Sequence, residues 1–383
     1  MYQLTPELIE FKRTLRNFIN SKIVPQIPAL NASGKFPSKI ISELGAAGYL
    51  NTSFECDPPV QNSCMKTVLV LEEISRALGS LGLILTPHFQ GVSLLSKYAD
   101  ESLKKTFLES ALQGEHLYAY SITEESGGTN ALNLSTTGIK DGDSWIINGQ
   151  KCWITNAGVA DGYFINAQTA NSSKRRSMSF FFINKDTPGF HFKEKAHMTG
   201  CTNSVMGTIE LNNCRIPESC LIGTVNEGYS IMKHSLNQGR LGISAVSIGI
   251  AERALELAID FSKKREYYGR KLHSYQGISF PIADMYSKIN SVRNMLYHTA
   301  SLCESNQSYS VEAASLKLMA NEVSIDVCRK SQEIHGAYGL SKDSEIEHCL
   351  RDCSMLTTAE GTLSACRMSI SSALLNSSLD YFF

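Results

Sequence analysis

Three groups of residues carry side chains able to do chemistry. The first is TTAEGT, Thr357 to Thr362, where one carboxylate, Glu360, stands between small residues and a glycine. An acid in that setting caps a helix, or, buried against a substrate, acts as a general base whose proton affinity burial has raised. The second group joins YSITEESGGTN, Tyr120 to Asn130, with KCWITNAG, Lys151 to Gly158. Hydroxyls at Thr123, Thr129 and Thr155, compliant backbone at Gly127 and Gly128, and the Trp153 indole can hold a planar heteroaromatic ring by its carbonyl edge and one face. The same residues also suit a core tryptophan flanked by turns. The third group is FSKKREYYGRKLHSYQ, in which Arg265 and Gln276 offer donors for a pyrophosphate, or simply a solvated basic helix end. Further on, EIHGAYG places Gly336 and Gly339 where helices can turn closely. His335 and His348 are not spaced as zinc ligands, and no metal site is expected.

The elements that must position these groups change character along the chain. Residues 1–118 read as helical, with apolar positions recurring at three and four in ELIEFKRTLRNFI and KTVLVLEEISRALGSLGLIL. From 119 to 225, short runs such as SWIING, YFINAQT, MSFFFI and GTIELN alternate with turn clusters, the rhythm of a compact β domain. From 226 to 383 helical periodicity returns, and one long segment, starting EGYSIMKHSLNQGRLGISAVSIG, is apolar on more than one face, as in a buried bundle helix or an oligomer contact. The expected order is helical domain, β domain, four-helix bundle.

Bulk properties exclude several functions. Against 37 Asp and Glu stand 36 Lys and Arg, a formal charge of -1, so no global field favours nucleic acid or an anionic membrane. The densest basic run, SSKRRS at 172–177, is a solvated hairpin loop or a docking patch for a nucleotide or carrier protein. No apolar run reaches membrane-spanning length and no secretory leader opens the chain, so a cytoplasmic protein is expected. Eleven dispersed cysteines read as reduced thiols. Neither a GxGxxG fingerprint nor a Walker A loop occurs, so a nucleotide cofactor would bind without the usual glycine cradle.

Together these motifs resemble the acyl-CoA dehydrogenase flavoprotein family over essentially the whole chain. TEESGGTN is similar to its first signature and CWITNAG to its flavin-side strand. REYYG with QGISFPIADM, then GAYG, RDC and AEGT, follow in the family's order. The resemblance implies an α+β fold with a β-barrel-like central domain, FAD as cofactor, and oxidation of an acyl thioester. It also implies a homotetramer or homodimer, and an electron-transfer flavoprotein or oxygen as electron acceptor. It makes Glu360 the base that removes the α-proton while the β-hydride passes to flavin N5. Tyr120, Ile122, Thr123 and Thr129 would line the flavin, Trp153 and Thr155 would lie against its ring, and Thr362 would hold it near the base. Arg265, Tyr268 and Gln276 would reach the FAD of a neighbouring subunit, with Glu333 and Gly336 at its adenine-side phosphates. Arg240, Ala359 and Gly361 would face substrate. Some relatives place the base on the long helix, at the position held here by Gly239, which cannot act as one.

Several positions depart from the family pattern. Glu125 stands where proline is frequent, Asn130 where aspartate is usual, Glu333 for glutamine and Ala337 for glycine. Ala359 replaces an aromatic residue before the base; either the acyl pocket widens, suiting branched, cyclic or polar acyl groups, or a neighbour fills the gap. Thr202 sits where relatives often carry arginine, which leaves open a thioester on a carrier protein rather than on coenzyme A. A flavoprotein-like scaffold without catalysis is the remaining alternative; a colourless purified protein would mark it.

Overall fold

The computed structural model describes residues 2–129, 133–169 and 177–376. The basic run at 172–177, Ser177 apart, and Asn130 lie outside the described residues. Thr5 opens the first helix, α1 (Pro6–Phe18), by accepting the Leu8 N–H, and Pro6 occupies the first turn, where its missing donor costs nothing. Helices α2 (Ile27–Ser33), α3 (Ser38–Ala46), α4 (Ser63–Ala77), α5 (Gly79–Tyr98) and α6 (Glu101–Leu112) complete an N-terminal helical region. α5 is buried from Gly79 to Ser96, so apolar residues surround it rather than forming one stripe.

Among the described residues eight strands follow: β1 (Tyr118–Ser121), β2 (Thr137–Asp141), β3 (Ser144–Thr155), β4 (Gly162–Gln168), β5 (Met178–Asn184), β6 (Phe190–Lys195), β7 (Met206–Pro217) and β8 (Leu221–Ile222). They form one mixed sheet in the order β6-β7-β3-β2-β4-β5-β8, with β1 parallel to β4. This corrects the expectation of a β-barrel-like domain. The sheet is open: the path ends at β6 on one side and at the two-residue β8 on the other, and these do not pair. β6, FHFKEK, is exposed along nearly its whole length, and its lysines and glutamate blunt an edge that a barrel would have closed.

The C-terminal region comprises α7 (Gly228–Lys264), a short hairpin of β9 (Glu266–Tyr267) and β10 (Arg270–Lys271), then α8 (Gln276–Glu304), α9 (Ser310–His335), α10 (Glu345–Leu356) and α11 (Leu363–Asn376). One apolar core runs through both helical regions, from Leu8 and Leu15 of α1 through Leu69 of α4 to Leu241 of α7 and Val327 of α9. The α4–α7 crossing is tight because Gly249 lacks a side chain: a Cβ there would lie 2.2 Å from the Glu72 carbonyl oxygen. Ion pairs to the buried Glu72 fasten α4 to α1 and α8. Burial alone would raise the Glu72 carboxyl, but Lys12 at 3.1 Å, Arg293 at 2.7 Å and the Tyr297 hydroxyl at 2.7 Å hold it down to about 2. None of the helices among the described residues is long and apolar enough to cross a membrane.

Candidate functional site

Where the sheet meets the helices, a cleft of about 1140 Å³ opens. That exceeds the roughly 300–1,000 Å³ typical of one small-ligand site and leaves room for two molecules side by side. One wall is the sheet: Tyr120 and Ile122 at the end of β1, Thr123, Gly128 and Thr129 in the loop that follows, and Trp153 to Thr155 at the end of β3. Across from it stand α5 with Thr86 and Pro87, and α7 with Asn237 and Arg240. The third wall is the turn between α10 and α11, from Thr358 to Thr362.

Local irregularities aim the sheet residues. Between Lys151 and Ile154 the pairing of β3 with β7 slips. At this bulge Lys151 turns inward, fully buried, while Trp153, with φ of 59°, projects outward and is 61% exposed. Lys151 Nζ meets Glu124 Oε1 and Asn166 Oδ1, each at 2.7 Å, and Glu124 also accepts the backbone N–H groups of Ser135 and Thr136. Burial would raise Glu124, but Lys151 and these donors outweigh it and keep its carboxyl below the usual carboxylate range. The Lys151 ammonium is pushed down to about 8, because burial outweighs the pull of Glu124. With the bond from Cys152 N–H to the Thr123 carbonyl, this network fastens the Thr123–Thr129 loop to β3. Asn156 ties the end of the strand to α5 and β1 by donating to the Ile84 and Tyr118 carbonyls.

Glu360 has φ of 54°, a left-handed conformation uncommon for a non-glycine residue. Although one edge opens on the cleft, protein surrounds its carboxyl, and this desolvation raises it to about 7. Opposing that rise are a hydrogen bond from Gln90 Nε2 at 3.1 Å and the nearby charges of Lys317 and Arg240. Lys317, fully buried on α9, donates to the Thr357 carbonyl and to Asn321 Oδ1, both at 3.2 Å, and so grips the end of α10 just before Glu360. Burial lowers the Lys317 ammonium to about 8. Gly239 on α7 is necessary here, since a Cβ would fall 2.1 Å from Glu360 Oε2. Thr362 accepts the Ala365 N–H and begins α11 while still bordering the cleft.

The residues singled out in the sequence therefore divide in two. Glu360, Ala359, Gly361, Thr362 and Arg240 converge on the cleft with the sheet residues Tyr120, Ile122, Thr123, Thr129, Trp153 and Thr155. Arg265, Tyr268, Gln276, Glu333 and Gly336 do not border it; all five are exposed, around the C-terminal ends of α7 and α9. There the Arg265 guanidinium lies 5.8 Å from the centre of the Tyr338 ring, and Tyr268 is 84% exposed. Sequence reasoning missed Gln90 and Lys317. The available signal was a polar side chain inside an otherwise apolar helical run, HFQGVSLL and AASLKLMA respectively.

Comparison with known proteins matches three consecutive family models: "Acyl-CoA dehydrogenase, N-terminal domain" at residues 5–115, "middle domain" at 119–214 and "C-terminal domain" at 226–375. A relative from Bacillus subtilis (strain 168), named acyl-CoA dehydrogenase, is 33% identical over 374 residues, 97% of this chain and 99% of its own. Among solved structures, butyryl-CoA dehydrogenase from Megasphaera elsdenii is 28% identical with a TM-score of 0.93, covering 98% of this chain and 100% of that one. A chain in a structure concerning the electron transferring flavoprotein of Acidaminococcus fermentans is 30% identical with a TM-score of 0.94, again covering 98% and 100%.

Proposed function

Because the chain belongs to the acyl-CoA dehydrogenase family, we propose that it oxidises the acyl group of a coenzyme A thioester to the α,β-unsaturated form, with Glu360 as the base. The chemistry is FAD-dependent dehydrogenation. What supports the assignment of Glu360 is its position: a carboxyl raised to about 7, on the wall of a cleft large enough for two ligands. A base of that affinity is about half ionised at neutral pH and largely ionised above it, yet basic enough to take a proton from carbon next to a thioester.

The chain's own residues fit a flavin. The Trp153 indole, exposed on the cleft, offers a face for a planar ring, and the threonine hydroxyls beside it suit a ring with both donors and acceptors. Thr123, Thr129, Thr155 and Trp153 would hold the ring, Tyr120 and Ile122 would line it, and Thr362 would keep it near Glu360. FAD, when bound, supplies at N5 the acceptor for the hydride that leaves the β-carbon. The protein does the rest. Glu360 takes the α-proton, its backbone N–H stabilises the developing enolate oxygen, and Arg240, Ala359 and Gly361 line the acyl side.

Other parts of the reading extend beyond the cleft. The exposure of Arg265, Tyr268, Gln276, Glu333 and Gly336 supports contact with the FAD of a neighbouring subunit in a homotetramer. Likeness to the Acidaminococcus structure supports an electron-transfer flavoprotein as the acceptor. We divide the chain into domains at 1–118, 119–225 and 226–383, and place it in the cytoplasm, where all eleven cysteines would stay unpaired as they are here.

The test is anaerobic mixing of the flavin-loaded protein with butyryl-, isobutyryl-, isovaleryl-, glutaryl- and octanoyl-CoA. At least one should bleach the flavin and yield a product two hydrogens lighter. No bleaching with any member would remove the dehydrogenase reading. With the active thioester, the bleaching rate should climb with pH through a limb near 7, because only ionised Glu360 accepts the proton. A rate independent of pH from 5.5 to 8.5 would count against Glu360.

A further inference from the structure

Four elements present groups to the Glu360 carboxyl: α5 offers Gln90, α7 offers Gly239 and Arg240, α9 offers Lys317 and β1 offers Tyr120, while α11 sets Cys366 beside Lys317. Of the side chains among these, Gln90 makes the hydrogen bond to the carboxylate. It is wholly buried in the middle of α5, a helix that also buries Thr86 and His88 among its apolar residues. Its Nε2 donates to Glu360 Oε2 at 3.1 Å and to the Ser235 carbonyl of α7 at 2.9 Å. Both neighbours are acceptors, which fixes the amide with its nitrogen toward them.

Two further observations separate this arrangement from ordinary core packing. Gln90 Oε1 has no hydrogen-bond partner among the described residues, so the amide is held from its nitrogen end alone. The second concerns the helix behind it: a Cβ at Gly239 would meet Glu360 Oε2 at 2.1 Å and Gln90 Nε2 at 2.5 Å, striking both ends of the bond at once.

We propose that Gln90 is a positioning residue for Glu360, holding its carboxylate by one N–H in a space that only glycine at 239 leaves open. The inference rests on the reading of Glu360 as the base. An N–H donated to a carboxylate favours its ionised form, so the bond orients Glu360 toward the cleft and also keeps it ionised at lower pH than burial alone would allow. Gln90 does not touch the reacting carbon. Its effect reaches the substrate only through Glu360.

Gln90→Met keeps the length and bulk of the side chain and removes the donor. Infrared difference spectra across a pH titration read Glu360 without any substrate, its protonated C=O band being identified by its loss in Glu360→Gln. In Gln90→Met that band should titrate about one pH unit higher, the size expected when one hydrogen bond to a charged group is lost. The limb of flavin bleaching, measured with the thioester of the panel that works best on wild type, should move by the same amount. A band and a limb at wild-type pH would overturn the proposal. Gly239→Ala is the second variant, and decides alone if Gln90→Met does not fold. Its methyl should push the carboxylate off Gln90, shift the same band, and slow bleaching about 100-fold at every pH, as misplacement by about 1 Å can; an unchanged band and rate would also refute the proposal. Failure of the base reading looks different, since Glu360→Gln would then bleach normally whatever happens to Gln90.

Discussion

Glu360→Gln should purify yellow, keep its fold, and lose flavin bleaching by about 10³-fold or more. A positioned general base contributes on the order of 10²–10⁴ in rate, and here a second unfavourable term is added: among the described residues that line the cleft, no other carries a carboxylate. Gly239 has no side chain, and Lys317 and Arg240 are cations. The amide is nearly isosteric and can still accept from Gln90 at the Oε2 position, so the loss should be chemical rather than structural. A second measurement separates these. The Glu360 carboxyl sits at about 7 in the folded protein against an ordinary value of 4.5, so its charged form is disfavoured by folding. Its stabilising contribution is complete below about 4.5 and is lost as pH rises through about 7. Glu360→Gln lacks that penalty, and its thermal midpoint should exceed wild type at pH 8, with the margin vanishing toward pH 4.5. Bleaching at the wild-type rate would end the assignment of Glu360 as the base.

Lys151→Met should unfold at markedly lower denaturant and give up flavin first. Lys151 is entirely buried and is the charge partner of Glu124, which would be left as a buried carboxylate with two backbone donors and no cation. Removing one member of a buried ion pair costs on the order of 3–5 kcal/mol, far more than the pair itself contributes. The damage is local before it is global, because Glu124 and Cys152 anchor the loop that carries Thr123 and Thr129 into the cleft. Replacing both members by apolar residues, Lys151→Met with Glu124→Leu, should therefore recover more than half of the lost stability. Equilibrium urea unfolding and flavin absorbance after gel filtration measure the two effects. A single variant as stable as wild type and fully loaded with flavin would show that the network does not hold the loop.

The alternation of element types was legible in the chain alone, because it depends on local periodicity: period-three-and-four runs in α1 and α4, short bounded runs in β3, β4, β5 and β7. Part of the cleft lining was legible too: Glu360, Thr123, Thr129, Thr155 and Trp153 stand out by type and by their place within motifs, and all five border the cleft. Closure of the sheet was not legible. Whether β6 and β8 meet depends on how strands far apart in sequence pair, and the expected barrel is an open sheet with a charged edge. The environment of Glu360 was equally hidden. Gln90, Gly239 and Lys317 stand 270, 121 and 43 positions before it, and nothing in their spacing shows that they meet at one carboxyl. Only the packing of α5, α7 and α9 around one turn brings a donor, a gap and a buried cation to the same carboxyl. The sequence determined which acid could act; the tertiary structure decided how strongly it holds its proton, because desolvation and hydrogen bonding are properties of neighbours rather than of the residue.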